Sequence, residues 1–351
     1  MSVNSKIPYT DATWNPIRYI NGWMCTKVST GCLRCYAETF NGRFGNKLPY
    51  SGPDPAIGFR FDEQVLDKPL HWRKPRRIFV QSMGDLFHEA VPVEFVTRVF
   101  DIMCSWRWPN KAAERDGDES LLVDPGHTYQ VLTKRPERIR QWLDWVDQYW
   151  PGDSPFNVCG DIGAVVPKYI WLGTTCENQE MADKRIPELL KIPAAVRFVS
   201  VEPMLGPVDF IKWFADCECD NCDWKGFQDN DTPEGGMKKI YTDDPAWREG
   251  WDDPEWVCPK CNSPGCGMSY SPIFNPYGDD PRIDWLIIGC ESGPKRRPCK
   301  LEWVKDLIEQ CDAAKIPAFV KQLDLNGKVS KDPAEWPEWA RRREYPRKEQ
   351  S

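Results

Sequence analysis

The feature that most constrains this chain is a repeated unit: a short apolar run, a polar tip, then a segment with helical spacing. Residues 77–82 (RIFVQS) lead into Met83, Gly84 and Asp85, and residues 128–132 (TYQVL) into Thr133, Lys134, Arg135 and Pro136. Residues 169–173 (YIWLG) end in Thr174, Thr175, Cys176, Glu177 and Asn178, and residues 196–201 (VRFVSV) in Glu202 and Pro203. Residues 283–289 (IDWLIIG) end in Cys290, Glu291, Ser292 and Gly293, and residues 317–320 (PAFV) in Lys321 and Gln322. Near-continuous Val, Ile and aromatic runs are the pattern of parallel strands covered on both faces. The segments 93–105, 136–147, 179–191 and 301–313 read as helices. Strands alternating with helices make βα units around a parallel sheet. With an N-terminal strand before Cys25 there are about seven strands. The expectation is an α/β fold, an open or complete TIM-like barrel, with a doubly wound open sheet as the alternative. In a barrel the polar tips gather on the C-terminal face, where chemistry is done.

Two stretches break this rhythm. Residues 106–127 are polar and charged, a surface excursion. Residues 215–280 are acidic, rich in Gly, Pro and Trp, and carry six cysteines. The expected organisation is therefore a first barrel part over 1–214, with a cysteine loop at 23–37. A cysteine-rich insertion follows over 215–280, then a last barrel part over 281–330 and a basic tail over 331–351. The apolar runs are too short to span a bilayer, and MSVNSKIPYTDATW lacks the apolar stretch of a secretion signal. A cytoplasmic, non-membrane protein is expected.

In that compartment fifteen cysteines point to metal or cluster binding rather than disulfides. Cys25, Cys32 and Cys35 form a C-x6-C-x2-C loop. Three thiolates can hold three irons of a cubane and leave the fourth open, and Gly31 would let the backbone turn tightly. The rival readings are a zinc site, for which none of His71, His88 and His127 is local, and plain structural cysteines. In the insertion, Cys219, Cys222, Cys258 and Cys261 make a C-x2-C…C-x2-C pair. Four such thiolates are the signature of a structural zinc ribbon, with an auxiliary iron–sulfur cluster as the alternative. A metal would hold together a segment with little core of its own.

The loop ending Gly31-Cys32-Leu33-Arg34-Cys35-Tyr36-Ala37, just after a first strand, resembles the radical S-adenosylmethionine superfamily. It looks in particular like the phage-associated three-Cys-motif proteins distantly related to spore photoproduct lyase. The resemblance extends through residues 131–136, 171–178, 198–203 and 284–293. The superfamily's usual spacing is C-x3-C-x2-C, so the first gap of six is a departure.

This resemblance implies a [4Fe–4S] cluster on Cys25, Cys32 and Cys35, with S-adenosylmethionine bound at the open iron and cleaved to a 5′-deoxyadenosyl radical. It implies contacts to the methionine amine from Ser82, Gly84 and Asp85, with Asp85 as a helix cap the bland alternative. Thr133 and Lys134 would face the cofactor carboxylate, and Glu177 and Asn178 a ribose hydroxyl, unless these two cap the next helix. Glu202 and Glu291 end later strands, where cofactor or substrate polar groups would lie. Cys176 or Cys290 would serve as hydrogen-atom donor, or else as a small buried apolar side chain. An electron donor such as a flavodoxin or ferredoxin is implied, and a partner protein is compatible with it.

The substrate is the least determined part. The net charge of −7, from 46 basic and 53 acidic residues, argues against a non-specific nucleic-acid coat, which would usually be basic, and favours a peptide or small-metabolite substrate. Basic clusters nevertheless occur at residues 73–77, 134–140 and 295–297, and in the tail at Arg341, Arg342, Arg343, Arg347 and Lys348. Each is either solvated surface or a phosphate-contacting rim, and some of the eighteen tryptophans could stack on bases. Three functions are compatible: radical chemistry on a nucleic-acid base in modification or repair, the same chemistry on a peptide or small metabolite, and a zinc-dependent nucleic-acid-binding module without catalysis.

Overall fold

The computed structural model describes residues 5–54, 56–104, 126–149, 166–214, 282–293 and 295–346, with the backbone of four short strands between 217 and 257. Eight strands form one mixed sheet: β1 (Ala12–Trp14), β2 (Arg77–Val80), β3 (Thr128–Thr133), β4 (Ile170–Thr175), β5 (Arg197–Val201), β6 (Trp285–Gly289), β7 (Ala318–Leu325) and β8 (Lys328–Ser330). Neighbours from β1 to β7 pair in parallel, and β8 folds back antiparallel on β7. The strand order is sequential throughout, without the reversal that defines a doubly wound sheet.

The helices connect these strands. Helix α1 (Tyr36–Phe44) follows the cysteine loop, α2 (Val93–Cys104) follows β2, and α3 (Glu137–Tyr149) follows β3. Helix α4 (Gln179–Leu190) follows β4, and α5 (Leu301–Ala313) follows β6. The strands and helices read from the sequence fall within a few residues of these bounds. Helix α1 and strand β8 are additions to the elements read from the sequence.

The period-two alternation of side chains sorts each strand into two faces. Ile78 and Val80 of β2, Leu172 of β4, and Leu286 and Ile288 of β6 join the large core beneath the helices. Phe79, Trp171, Phe198, Trp285, Ile287 and Phe319 point the other way and form a second buried cluster with Tyr9. Tyr9 precedes β1, yet its ring lies 6.2 Å from Phe79 and 5.8 Å from Phe319 of β7. The sheet therefore curls until side chains from its two ends meet.

The free edge of β7 is covered twice. Its second half pairs with β8, and its first half with the C-terminal segment, through Val320 N–H to Arg342 O at 3.0 Å and Glu344 N–H to Ala318 O at 3.1 Å. Covering an edge removes a template for unwanted pairing. The charges of this basic segment are used internally. Arg342 pairs with Asp312 at 2.7 Å and Glu344 at 3.1 Å, and Arg343 lies over the rings of Phe319 and Trp336. Arg347 and Lys348 lie outside the described residues. No helix among the described residues is long and apolar enough to cross a membrane.

Within 215–280, Cys217–Glu218 pairs antiparallel with Lys225–Gly226, and Lys238–Ile240 with Glu255–Val257. Cys219 and Cys222 fall between the first two of these strands, and Cys258 and Cys261 follow the last. All four, the expected zinc ligands, lie outside the described residues.

Trp285 is fully buried at the centre of the second cluster, 5.6 Å from Phe198 and 5.7 Å from Trp171. Trp285→Ala is expected to cost about 3–5 kcal/mol in urea unfolding. Replacing the exposed Tyr149 by Ala should change stability by no more than about 0.5 kcal/mol.

Candidate active site

The cysteine loop lies over the C-terminal ends of the parallel strands because strand-end side chains hold it there. Glu177, just past β4, is fully buried. Its carboxylate accepts the Gly31 N–H at 2.9 Å and pairs with Arg185 of α4 at 2.9 Å. Arg185 sits two helical turns on and also donates to Thr175 O at 2.7 Å. Burial alone would push the Glu177 carboxyl up. The hydrogen bond from Ser29, the Arg185 charge and the Gly31 N–H outweigh it and hold the carboxyl below its ordinary range. A β-carbon on Gly31 would stand 2.8 Å from the Glu177 carboxyl carbon. Gly31 is therefore there for close approach; its φ is not in the left-handed region.

A second clasp comes from β6. Glu291 accepts the Arg297 backbone N–H at 2.8 Å, pairs with the Arg297 guanidinium, and receives Arg34 of the cysteine loop at 3.4 Å. Arg297 then donates to Thr30 O at 2.9 Å. Burial raises the Glu291 carboxyl, but the hydrogen bonds and charge of Arg297, with Arg34 behind them, bring it below the usual value. A third contact holds the loop's start. His88 Nδ1 accepts the Ala90 N–H at 3.1 Å, which leaves Nε2 to donate to Thr26 Oγ1 at 2.7 Å.

Asn41 and Asn46 close the loop from behind. Asn41 Oδ1 accepts Trp23 N–H at 3.0 Å and its amide donates to Asn46 Oδ1 at 2.7 Å, while Asn46 donates to Tyr19 O at 3.0 Å. A β-carbon on Gly45 would stand 2.1 Å from Asn41 Oδ1.

The three thiols are free and half-buried. Cys25 and Cys35 pack against the same small cluster of Tyr19, Trp23, Met24, Ala37, Tyr50 and Met83. Burial pushes the Cys25 thiol up to about 12, helped by the Asp85 charge and opposed by Arg135 and Lys134. Burial likewise raises Cys35, against backbone hydrogen bonds and Lys134. A thiolate at either position needs added positive charge. Among the described residues no group of three His, Cys, Asp or Glu could hold a single metal ion. A cubane instead takes one thiolate on each of three corners. Three thiols on one half-buried loop that call for added positive charge are a donor set such a cluster could use.

The remaining residues singled out in the sequence divide clearly. Asp85 is buried, and its oxygens accept from Thr133 Oγ1 at 2.7 Å, Phe87 N–H at 3.0 Å, Lys134 N–H at 3.1 Å and Arg135 at 3.0 Å. Its bonding capacity is spent inside the protein. Neither an ammonium ligand nor a cap of α2 describes it; it ties the tips of β2 and β3 together, with Thr133 as its partner. Ser82 O accepts from Tyr36 at 2.6 Å, and a β-carbon on Gly84 would lie 3.3 Å from Met24 O, so this tip backs directly on the cysteine loop. Asn178 caps α4 by accepting Met181 N–H at 3.0 Å. The ribose role expected for Glu177 and Asn178 is thus replaced by clamping and capping.

Lys134 stays on the site side. Its Nζ reaches Thr175 Oγ1 at 3.4 Å, and its charge lowers Cys25, Cys35 and Cys176 alike. Glu202 faces Lys321 of β7 in a close ion pair above Tyr9, whose hydroxyl burial and the Glu202 charge hold well above the ordinary value.

Cys176 and Cys290 are fully buried in the helix-side core. They continue the even-numbered register of Leu172 and of Leu286 and Ile288, away from the face that carries Glu202 and Lys321. Burial raises both thiols, Cys290 to about 12. Their burial in this core matches the alternative of a small buried apolar side chain.

Arg185, Lys321, His88, Asn41, Asn46 and Arg34 build the site without having been singled out for it in the sequence, and Arg297 belongs to a cluster read there as surface or rim. Glu177 precedes the extended N-cap Asn178, so its meeting with Arg185 of α4 follows from how the chain enters the helix and left no spacing signal in the sequence. The basic clusters are largely spent on partners. Arg77 binds Asp11 at 3.0 Å, Arg135 binds Asp85 and Glu89, and Arg140 binds Asp144 at 2.8 Å. Arg77 also starts β2, at the end opposite the cysteine loop.

One family model, described as "Protein of unknown function (DUF5131)", matches residues 4–110 and 119–341. No curated protein matches the chain. No solved structure matches it.

Because the Glu177 and Glu291 carboxyls titrate below their unfolded value of about 4.3, their stabilisation is complete above that pH. It is lost as pH falls through the lower folded value. Glu177→Gln leaves the buried Arg185 unpaired and is expected to cost about 3–5 kcal/mol at pH 7. In urea unfolding the gap between wild type and variant should narrow steadily below about pH 4. A gap independent of pH would show that the charge of Glu177 is not what holds the loop.

Proposed function

The chain belongs to the DUF5131 family, and we propose that it is a radical S-adenosylmethionine enzyme acting on a nucleic-acid base. The observation that carries this reading is a loop of three free, half-buried thiols, Cys25, Cys32 and Cys35, held over the C-terminal ends of consecutive parallel strands. In this reading the curled sheet is an open TIM-like barrel and the loop covers its catalytic mouth.

Cys25, Cys32 and Cys35 would hold a [4Fe–4S] cluster, and the group supplies one-electron cleavage of the S-adenosylmethionine sulfonium. The chain's own residues do the rest. Glu177 and Glu291 fix the loop from two strands, so the thiols keep their spacing. Lys134 brings positive charge to the thiolates and is the cation available to an incoming carboxylate. Glu202 and Lys321 set a polar pair on the face above the Tyr9 cluster, where substrate would be oriented. The aromatic floor of Tyr9, Trp285 and Phe319 keeps water out of that face from below. The pair Cys219, Cys222 and Cys258, Cys261 is assigned a structural zinc, which would pin the insertion.

The resemblance to spore photoproduct lyase favours a nucleic-acid base over a peptide or metabolite. A base in duplex DNA would have to be flipped or presented single-stranded.

Anaerobic purification, iron, sulfide and zinc analysis, and dithionite reduction with S-adenosylmethionine test the proposal. About four irons per chain and formation of 5′-deoxyadenosine are expected, both lost in Cys32→Ala. Zinc at both cysteine groups and no iron would leave a binding protein without this chemistry.

A further inference from the structure

Helix α1 buries one narrow stripe, Ala37 and Asn41, and leaves a second one open. Leu33, Tyr36, Phe40 and Phe44, spaced three and four apart, are 60%, 49%, 45% and 71% exposed. Side chains at this spacing share a helix face. Val28 and Leu48 are exposed on the adjoining loops, so most of the exposed large apolar side chains of the described residues gather here. Phe40 and Phe44 sit with ring centroids 4.8 Å apart. The stripe starts between the second and third cysteines and runs away from them along α1.

Charge on this surface is positive. Arg43 lies three residues after Phe40 and Lys47 three after Phe44. Both are exposed, and neither has an ion-pair partner among the described residues. Arg34 adds a half-exposed guanidinium at the cysteine end. The nearest acid, Glu38, is already taken by Lys27 at 3.0 Å and by Tyr50 N–H at 2.9 Å. Alternating aromatic faces and cations suit a polyanion with unpaired bases. The two hydroxyl protons on the stripe are used internally, so neither is left to donate to a ligand: Tyr36 donates to Ser82 O at 2.6 Å and Thr39 to Cys35 O at 3.2 Å. What remains is apolar surface for the sugar, which suits deoxyribose rather than a 2′-hydroxyl.

We infer that the exposed face of α1 is a docking track for single-stranded DNA, with bases stacked on Tyr36, Phe40 and Phe44 and phosphates on Arg43 and Lys47. The inference rests on the nucleic-acid reading above and gives it a surface: a strand laid on α1 is led to the mouth beside Cys35.

Fluorescence anisotropy of the full-length protein with labelled oligo-dT tests it, alongside the same sequence as RNA and as duplex DNA. Single-stranded DNA should bind tightest. Phe40→Ala/Phe44→Ala should weaken it about tenfold or more, at an unchanged salt slope. Arg43→Gln/Lys47→Gln should weaken it and flatten the slope of log K against log salt by about 1.4. Because these side chains are largely exposed, with Phe40 meeting the interior only at the Trp23 ring 6.3 Å away, urea midpoints, iron content and 5′-deoxyadenosine formation should stay close to wild type. Binding unchanged by both pairs of substitutions, or RNA bound as tightly as DNA, overturns the inference. So does a wild-type dimer that dissociates in the Phe variant, because a second copy then covers the stripe. A wild type that forms 5′-deoxyadenosine but binds none of the three oligonucleotides would sink the track and leave the radical chemistry standing. DNA bound on this track by a wild type that holds no iron after anaerobic purification and forms no 5′-deoxyadenosine would do the reverse.

Discussion

The hydrogen bond from Gly31 N–H to the buried Glu177 carboxylate is the contact on which the site's architecture depends. A buried carboxylate is costly unless its lone pairs are filled and its charge is matched. Here Arg185 matches the charge while Gly31 and Ser29 fill the oxygens. The same group therefore satisfies two needs, anchoring the start of α4 and fixing a loop 146 residues away in sequence. Removing it would leave Arg185 uncompensated in the core and Gly31 without an acceptor.

The second clasp follows the same logic from a different strand. Glu291, Arg297 and Arg34 form a charge-assisted chain, and Arg297 closes it on the Thr30 carbonyl. Two carboxylates at the ends of β4 and β6 thus grip one loop from two directions. A nine-residue helix behind a cysteine loop would otherwise have little to fix it, since α1 buries only Ala37 and Asn41 fully. Polar geometry substitutes here for a hydrophobic seat, and it is more directional than burial would be.

The parallel core was legible because burial on both faces leaves an unambiguous apolar signal, as in Trp285–Gly289 and Arg197–Val201. Sequential strand order was legible only as an expectation, since runs such as 169–173 and 196–201 carry no record of their neighbours. The roles at the strand ends were read less well, and for one reason. Glu177, Asp85 and Glu291 look in sequence like free acceptors at a mouth, but each is consumed by an arginine that the sequence places far away or on the next turn. Cys176 and Cys290 show the opposite failure: reactive in type, they are fixed on the helix side by strand parity alone, which counting from Leu172 and Leu286 would have revealed. The basic tail misled because charge density says nothing about backbone pairing, and Arg342 and Arg343 are edge residues of the sheet.

The long reach of the clasps has a consequence during synthesis. Cys35 leaves the ribosome 262 residues before Arg297, whose guanidinium holds Thr30 O. At about 5–20 residues per second, the cysteine loop spends roughly 13–52 s without its final restraint. Through that interval the three thiols are tethered by local contacts such as Asn41 and Asn46, joined in turn by His88 and Glu177. Maturation of this protein is therefore ordered in time, with the nucleophiles made first and the lock that spaces them made last.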